Sequence, residues 1–155
     1  YYDLKHSNLK NYLEEEFQVP VIVENEANLS VIGEAACAKH FKNMIFLNIH
    51  EGVGMGILID GELYTGQNGY AGEFGHISLN TVLHTFNPDV IVINSSFTNY
   101  IPGLIDEITS GIQNRLRWYL HVLPAHLQDV SVLMGGISLC SRNFLGISTF
   151  KLLDL

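Results

Sequence analysis

Between Asn43 and Tyr64 the sequence leaves few choices. Two apolar runs, Met44 to Ile49 and Met55 to Ile59, suit buried strands and are short for helices, and the residues between them form a glycine turn, His50-Glu51-Gly52-Val53-Gly54. Asp60-Gly61 then gives a strong two-residue hairpin signal before Glu62 to Tyr64. The middle of the chain therefore reads as a β-meander.

Helical patterns lie on either side. Leu9, Tyr12, Leu13 and Phe17 make a helical stripe within Leu4 to Phe17, and Pro20 follows soon after. Val19 to Val23 reads as a short buried strand, and Ala27 to Phe41 as a helix opened by Asn25 or Asn28 as its cap. Beyond the meander, Asp89 to Asn94 reads as a buried strand after the turn Asn87-Pro88. A long helix from about Tyr100 to Leu123 is expected from Ile101, Leu104, Ile105, Ile108, Ile112 and Leu116 at spacings of three and four. Val130 to Met134 is expected as the last strand, with Gly135-Gly136 leading into a polar turn and an incipient helix. With no internal repeat, low-complexity segment or linker, the chain gives one α/β layer set. Its weakest join is Leu79-Asn80-Thr81, where the helical tail TVLHTFN begins without turn chemistry to prepare it.

A chain of 155 residues can bury a sizeable core alone or be part of something larger. Its composition is 47% apolar, yet no stretch approaches the roughly 20 continuous apolar residues of a membrane helix, so a soluble globular chain is expected. The net charge of -8, with the acids spread out, repels a phosphate backbone and argues against direct nucleic-acid binding by these residues. Cys37 and Cys140 are far apart in apolar settings and no leader pattern opens the chain, which points to a reducing cytoplasm. YYDLKHSNLK at one end and LLDL at the other give the expectation that both ends are cuts.

Three constellations can carry chemistry. Glu24-Asn25-Glu26-Ala27-Asn28 stands at a strand-to-helix junction, where side chains face the crevice of an open α/β sheet. A carboxylate accepts and a carboxamide both donates and accepts, so the pair suits two neighbouring sugar hydroxyls, although helix capping explains the same residues equally well. Gly72-Glu73-Phe74-Gly75-His76 follows the turn Gly66-Gln67-Asn68-Gly69 and brings a carboxylate and an imidazole within reach of one small polar ligand or a metal. A lone histidine, however, is more often structural, and His40, His50, His84, His121 and His126 show no ligand spacing. Third, the turn with Gly52, Gly54 and Gly56 has the outline of a phosphate loop, but glycine spacing alone is weak evidence. Glu51 at about 4 Å from a phosphate oxygen would be opposed by on the order of 4 kcal/mol per charge pair. No Lys or Arg lies between Asn43 and Asn114 to offset it.

Together these pieces resemble the ROK family, which groups sugar-dependent repressors, open reading frames and sugar kinases. The resemblance runs from Gly52-Val53-Gly54-Met55-Gly56-Ile57 through an eight-residue spacer to Gly66 and on to Gly72-Glu73-Phe74-Gly75-His76. Val23-Glu24-Asn25-Glu26-Ala27-Asn28 with Gly33-Glu34 is similar to the family's sugar-site helix. Phe86-Asn87-Pro88-Asp89-Val90-Ile91-Val92-Ile93 with Met134-Gly135-Gly136 is similar to its C-terminal half. The resemblance implies an actin-like ATPase (ribonuclease H-like) α/β fold, here partial, with a mixed sheet and flanking helices. It also implies a cleft in which Asn25, Glu26, Glu73 and His76 bind sugar.

Departures from the family pattern separate sensor from kinase. Kinases of the family have an aspartate as general base where Glu26 stands; the extra methylene moves the carboxylate by roughly an ångström, a displacement that can cost about a hundredfold. They also have Gly-Thr where His50-Glu51 stands, and their first phosphate loop lies upstream of this chain. The glycines at 52, 54 and 56 are then expected to persist because the turn needs them. No catalytic residue is expected and no cofactor. Zinc would require cysteines from an omitted loop to join His76, because one histidine cannot build a closed four-ligand site.

The expectation is thus a non-catalytic, sugar-sensing and dimerising core of a ROK repressor spanning residues 1–155. Its Glu-Asn-Glu-Ala-Asn variant is most similar to xylose-type repressors. A segment is expected to be omitted between 80 and 81, and DNA contact to be made by an N-terminal domain outside this chain. The alternatives are an ATP-dependent sugar kinase with Glu26 as base and a remnant that only assembles.

Overall fold

The computed structural model of the protein describes residues 8–37, 41–73, 78–112 and 120–146. The meander forms as expected. Strand β1 (Met44–Ile49) pairs antiparallel with β2 (Val53–Ile59), which pairs antiparallel with β3 (Glu62–Leu63) across Asp60-Gly61. Asp60 and Gly61 have φ of 54° and 82°, the left-handed pair that matches a hairpin turn to strand twist. On its other side β1 pairs parallel with β4 (Val90–Asn94), and β4 parallel with β5 (His121–Pro124), giving the order β3-β2-β1-β4-β5. Asp89 fixes the register of the β1–β4 pair, because its Oδ2 accepts the backbone N–H of Lys42 (3.1 Å) and of Asn43 (2.9 Å).

Both faces of this mixed sheet are covered, which is why its central strands are apolar without alternation. Ile45, Leu47, Ile91 and Ile93 point to one side, toward Val82 and Leu83 of helix α3 (Leu79–Phe86), with α5 (Leu104–Gly111) packed beside them through Ile105 and Ile108. Met44, Phe46, Val90 and Val92 point to the other, toward Val31 and Ile32 of α2 (Glu26–Cys37). Helix α6 (Ser131–Leu145) lies against α2, and α1 (Leu9–Phe17) buries no residue at all. Leu4 to Ser7 and Ala38 to His40, which belong to the first two expected helices, lie outside the described residues.

Several expectations need correction. Val19 to Val23 is not a strand: it has a bend at Val19 and pairs with no described strand, and Val19 and Val23 are exposed. The long helix from Tyr100 to Leu123 is instead α4 (Ser96–Tyr100), α5, and strand β5. Pro102-Gly103 interrupts it, with Gly103 at φ 81°, while residues 113–119 lie outside the described part. Val130 to Met134 is not a strand: a 3-10 turn (Gln128–Val130) leads straight into α6, and Gly135-Gly136 are helical. The reason is tertiary. A Cβ on Gly135 would collide with the Leu29 carbonyl, and one on Gly33 with the Ser131 carbonyl, so α2 and α6 touch backbone to backbone. The start of α3 also has a cap, contrary to the expectation of an unprepared join: Ser78 Oγ accepts the N–H of Thr81 (3.3 Å) and meets Thr81 Oγ1 at 2.8 Å.

Candidate functional site

The N-terminus of α2 organises the site. Asn25 is its cap: its carbonyl receives the N–H of Leu29 (3.0 Å) and its Oδ1 that of Ala27 (2.8 Å). Asn28 is no cap; it is buried and donates to Glu24 Oε1 at 2.8 Å. Capping uses only the oxygen of the Asn25 carboxamide. Its Nδ2 turns outward and lies 3.5 Å from Glu73 Oε1.

Glu73 reaches that place because of the loop before it. Ala71 N–H bonds to the Thr65 carbonyl at 3.0 Å, closing the loop on itself. Gly72 then holds φ 95° directly on the Met55 carbonyl, where a Cβ would collide. Asn25, Asn28, Gly54, Met55, Gly69, Ala71, Gly72 and Glu73 enclose a cavity of about 20 Å³, room for about one water molecule.

Glu26 goes elsewhere. Its Oε1 accepts from Asn48 Nδ2 at 2.9 Å, and Asn48 Oδ1 accepts from Asn94 Nδ2, also at 2.9 Å. His50 Nε2 stands 3.5 Å from the same Asn94 nitrogen. Asn48 and Asn94 are missing from the sequence reading because each lies at the end of an apolar run; the available signal is an asparagine at the same point of MIFLNI and VIVIN. Asn25 and Glu73 thus come together and Glu26 belongs to a neighbouring cluster, while Phe74, Gly75, His76 and Ile77 lie outside the described residues. Groups of three or more metal-ligating side chains are absent among the described residues.

The glycine turn is a second correction. Gly54 and Gly56 are strand residues of β2, opposite Asn48 and Phe46, and neither has a positive φ. A Cβ on Gly56 would strike the Ala27 carbonyl, and one on Gly54 would come within 3.3 Å of Ala27 Cβ. They are small so that α2 can lie on the sheet, not because a turn needs them. At the turn itself, the His50 N–H is spent on the Gly52 carbonyl at 3.0 Å and does not point outward as a phosphate donor. Arg142 of α6, one of the few cations of the described chain, is engaged elsewhere: it grips both oxygens of Glu62 on the edge strand β3 at 3.1 and 2.9 Å.

The ROK family model matches residues 2–82, more than half of the chain, and the chain belongs to the ROK family. The fold is the actin-like ATPase fold of the family's sugar kinases. The chain matches the glucokinase of Streptomyces griseus solved with glucose and AMPPNP with a TM-score of 0.74 at 18% identity, over 86% of this chain and 72% of that one. It matches a ROK family transcriptional regulator, homologous to the Escherichia coli MLC protein, with a TM-score of 0.67 at 15% identity, over 82% and 53%. In sequence it is 41% identical over 212 residues to the xylose repressor of Bacillus spizizenii, which takes in 90% of this chain and 55% of that protein. It is 43% identical over 216 residues to the xylose repressor of Lactiplantibacillus pentosus, with 97% and 56% covered. The chain therefore spans little more than half the length of the relatives it matches.

Proposed function

We propose that this chain is the sugar-sensing core of a ROK transcriptional repressor responding to xylose or a similar monosaccharide, and that it does not phosphorylate the sugar. The observation that carries the reading is the meeting of Asn25 and Glu73, 48 positions apart, at the mouth of a small cavity beside the start of α2. A carboxamide N–H beside a carboxylate suits neighbouring hydroxyls, and two relatives that align over 90% and 97% of this chain are xylose repressors. A monosaccharide needs more room than about 20 Å³, and on this reading the contact between Asn25 and Glu73 parts as sugar enters. That motion would be the signal, passed to a DNA-binding domain outside this chain in a homodimer or higher assembly. Glu26 and His76 are assigned to the same sugar.

The consumed His50 N–H and the anionic Glu51 favour sensing over phosphoryl transfer. We also infer that the longer relatives carry a segment that this chain lacks, since alignment with the Bacillus spizizenii repressor extends over 212 residues against a chain of 155, and assign it near Asn80-Thr81, where the family-model match ends at residue 82. The second reading, a sugar kinase with Glu26 as base, draws on a glucokinase of Halalkalibacterium halodurans that is 45% identical over 73 residues.

Titration calorimetry with xylose, glucose and N-acetylated sugars tests the proposal, together with ADP release measured on the same panel. Heat with xylose and no ADP is expected. ADP release would establish the kinase, and silence with every sugar would leave only an assembly role.

A further inference from the structure

We propose that Asn48 and Asn94 are positioning residues for the sugar site, which hold the Glu26 carboxylate by one oxygen and leave the other for the ligand; this rests on the reading of the cleft as a sugar site. The two asparagines are register partners on neighbouring parallel strands, so their side chains leave the same face of the sheet side by side. They stand at the carboxyl ends of β1 and β4, the end at which open α/β sheets bind ligands.

The hydrogen bonds run in one direction. Asn94 donates its Nδ2 to Asn48 Oδ1, so Asn48 has only its own Nδ2 to offer Glu26, and an N–H is what a carboxylate accepts. Reversing either amide would set oxygen against oxygen. Both asparagines are nearly buried, at 9% and 6% exposure, in strands otherwise made of Met, Ile, Phe, Leu and Val. Asparagine is unfavourable in strands and costly to bury unpaired, so the pair is stable there only as a completed chain of donors ending on the acid. Glu26 itself is exposed. Without the tether its long side chain would roam over the first turn of α2; with it, the carboxylate waits in one place and a ligand need not order it.

The test is a double-mutant cycle on sugar affinity with Asn94→Asp and Glu26→Gln, read by xylose calorimetry. Aspartate at 94 cannot donate, so Asn48 must turn its Nδ2 toward it and present oxygen to position 26. With glutamate there, Asn94→Asp is expected to weaken xylose binding about tenfold or more. In the Glu26→Gln background the loss should be less than about twofold, because the new amide can donate to the turned Asn48. Equal losses in both backgrounds, or no loss, overturn the proposal. A ligand-free measurement separates this from the sugar reading and survives poor folding of the aspartate variant. The Asn48 side-chain amide resonances should move on Glu26→Gln and barely on Glu51→Gln. If they do not move, the tether is absent; if they move in a protein that binds no sugar, the link is structural only and the positioning role falls with the sugar reading.

Discussion

Glu34 lies two turns beyond Glu26 on α2 and is only 3% exposed, whereas Glu26 faces solvent. Burial pushes its carboxyl above the ordinary carboxylate value of 4.5, partly offset by the N–H groups of Leu127 and His126 and the charge of His126. A raised folded value means that the fold prefers the protonated acid. Its contribution to stability is complete below the ordinary value and is lost as pH rises through the raised one. Glu34→Gln keeps an acceptor for the Leu127 N–H, which lies 2.7 Å from Oε1. Urea unfolding across a pH series should therefore find it equal to or more stable than wild type at neutral pH, with a smaller fall in stability from pH 4.5 upward. Ser30 is simpler: its fully buried Oγ has no partner among the described residues, so Ser30→Ala should stabilise by about 1 kcal/mol in the same assay. At this scale Asn25 and Glu73 are legible in the sequence, because polar residues at a strand-to-helix junction and after a glycine turn stand out. Asn48 and Asn94 are not, because the asparagine shared by the ends of the two apolar runs reads equally as a buried, satisfied amide and as an exposed strand end.

Among the elements, α2 decides most. It lies on β2 at Gly56 and on α6 at Gly33 and Gly135 so closely that peptide groups touch, and at Gly54 it brings the Ala27 side chain against the strand. Gly56→Ala and Gly135→Ala each push a Cβ into a carbonyl of this helix arrangement and are expected to destabilise by about 3 kcal/mol or more. Gly52→Ala meets nothing within 4 Å and needs no positive φ, so it should stay within about 0.5 kcal/mol by thermal unfolding. That contrast separates packing glycines from a phosphate-loop glycine. The same close approach explains why the start of α6 reads as a strand in the sequence. Val130 to Met134 is apolar in strand fashion, whereas the helical clue is the row of small residues Ser131, Gly135 and Ser138, which is informative only once α2 is known to lie against it.

Across the whole molecule, stability is concentrated in the sheet. Ile45 and Ile91 are at most 1% exposed between two helical layers, whereas α1 buries nothing and is only nine residues long, marginal as a helix alone. Hydrogen exchange should show Ile45 and Ile91 opening only with global unfolding and Tyr12 and Leu13 exchanging far faster. On the proposed reading of the cleft, xylose at about a hundred times its dissociation constant should add about 2.7 kcal/mol to the unfolding free energy of the whole, read by urea unfolding with and without the sugar.

Local physical chemistry in the sequence determined the β-meander, the Asp60-Gly61 hairpin and an asparagine cap at the start of α2, Asn25 or Asn28, and the resemblance to the family is carried by short runs that include Glu26 and His50-Glu51. Each of these is written within a few consecutive residues. The break at Pro102-Gly103 is also written locally, since proline and a left-handed glycine stop a helix, although the periodic apolar residues around it masked it. Tertiary structure alone decided that a fifth strand follows, that Gly135 is helical, and that Glu26 turns to Asn48 while Asn25 meets Glu73. Those outcomes depend on which backbone lies within a few ångströms of which, and residues 48 positions apart carry no mark of that distance until the sheet brings them together.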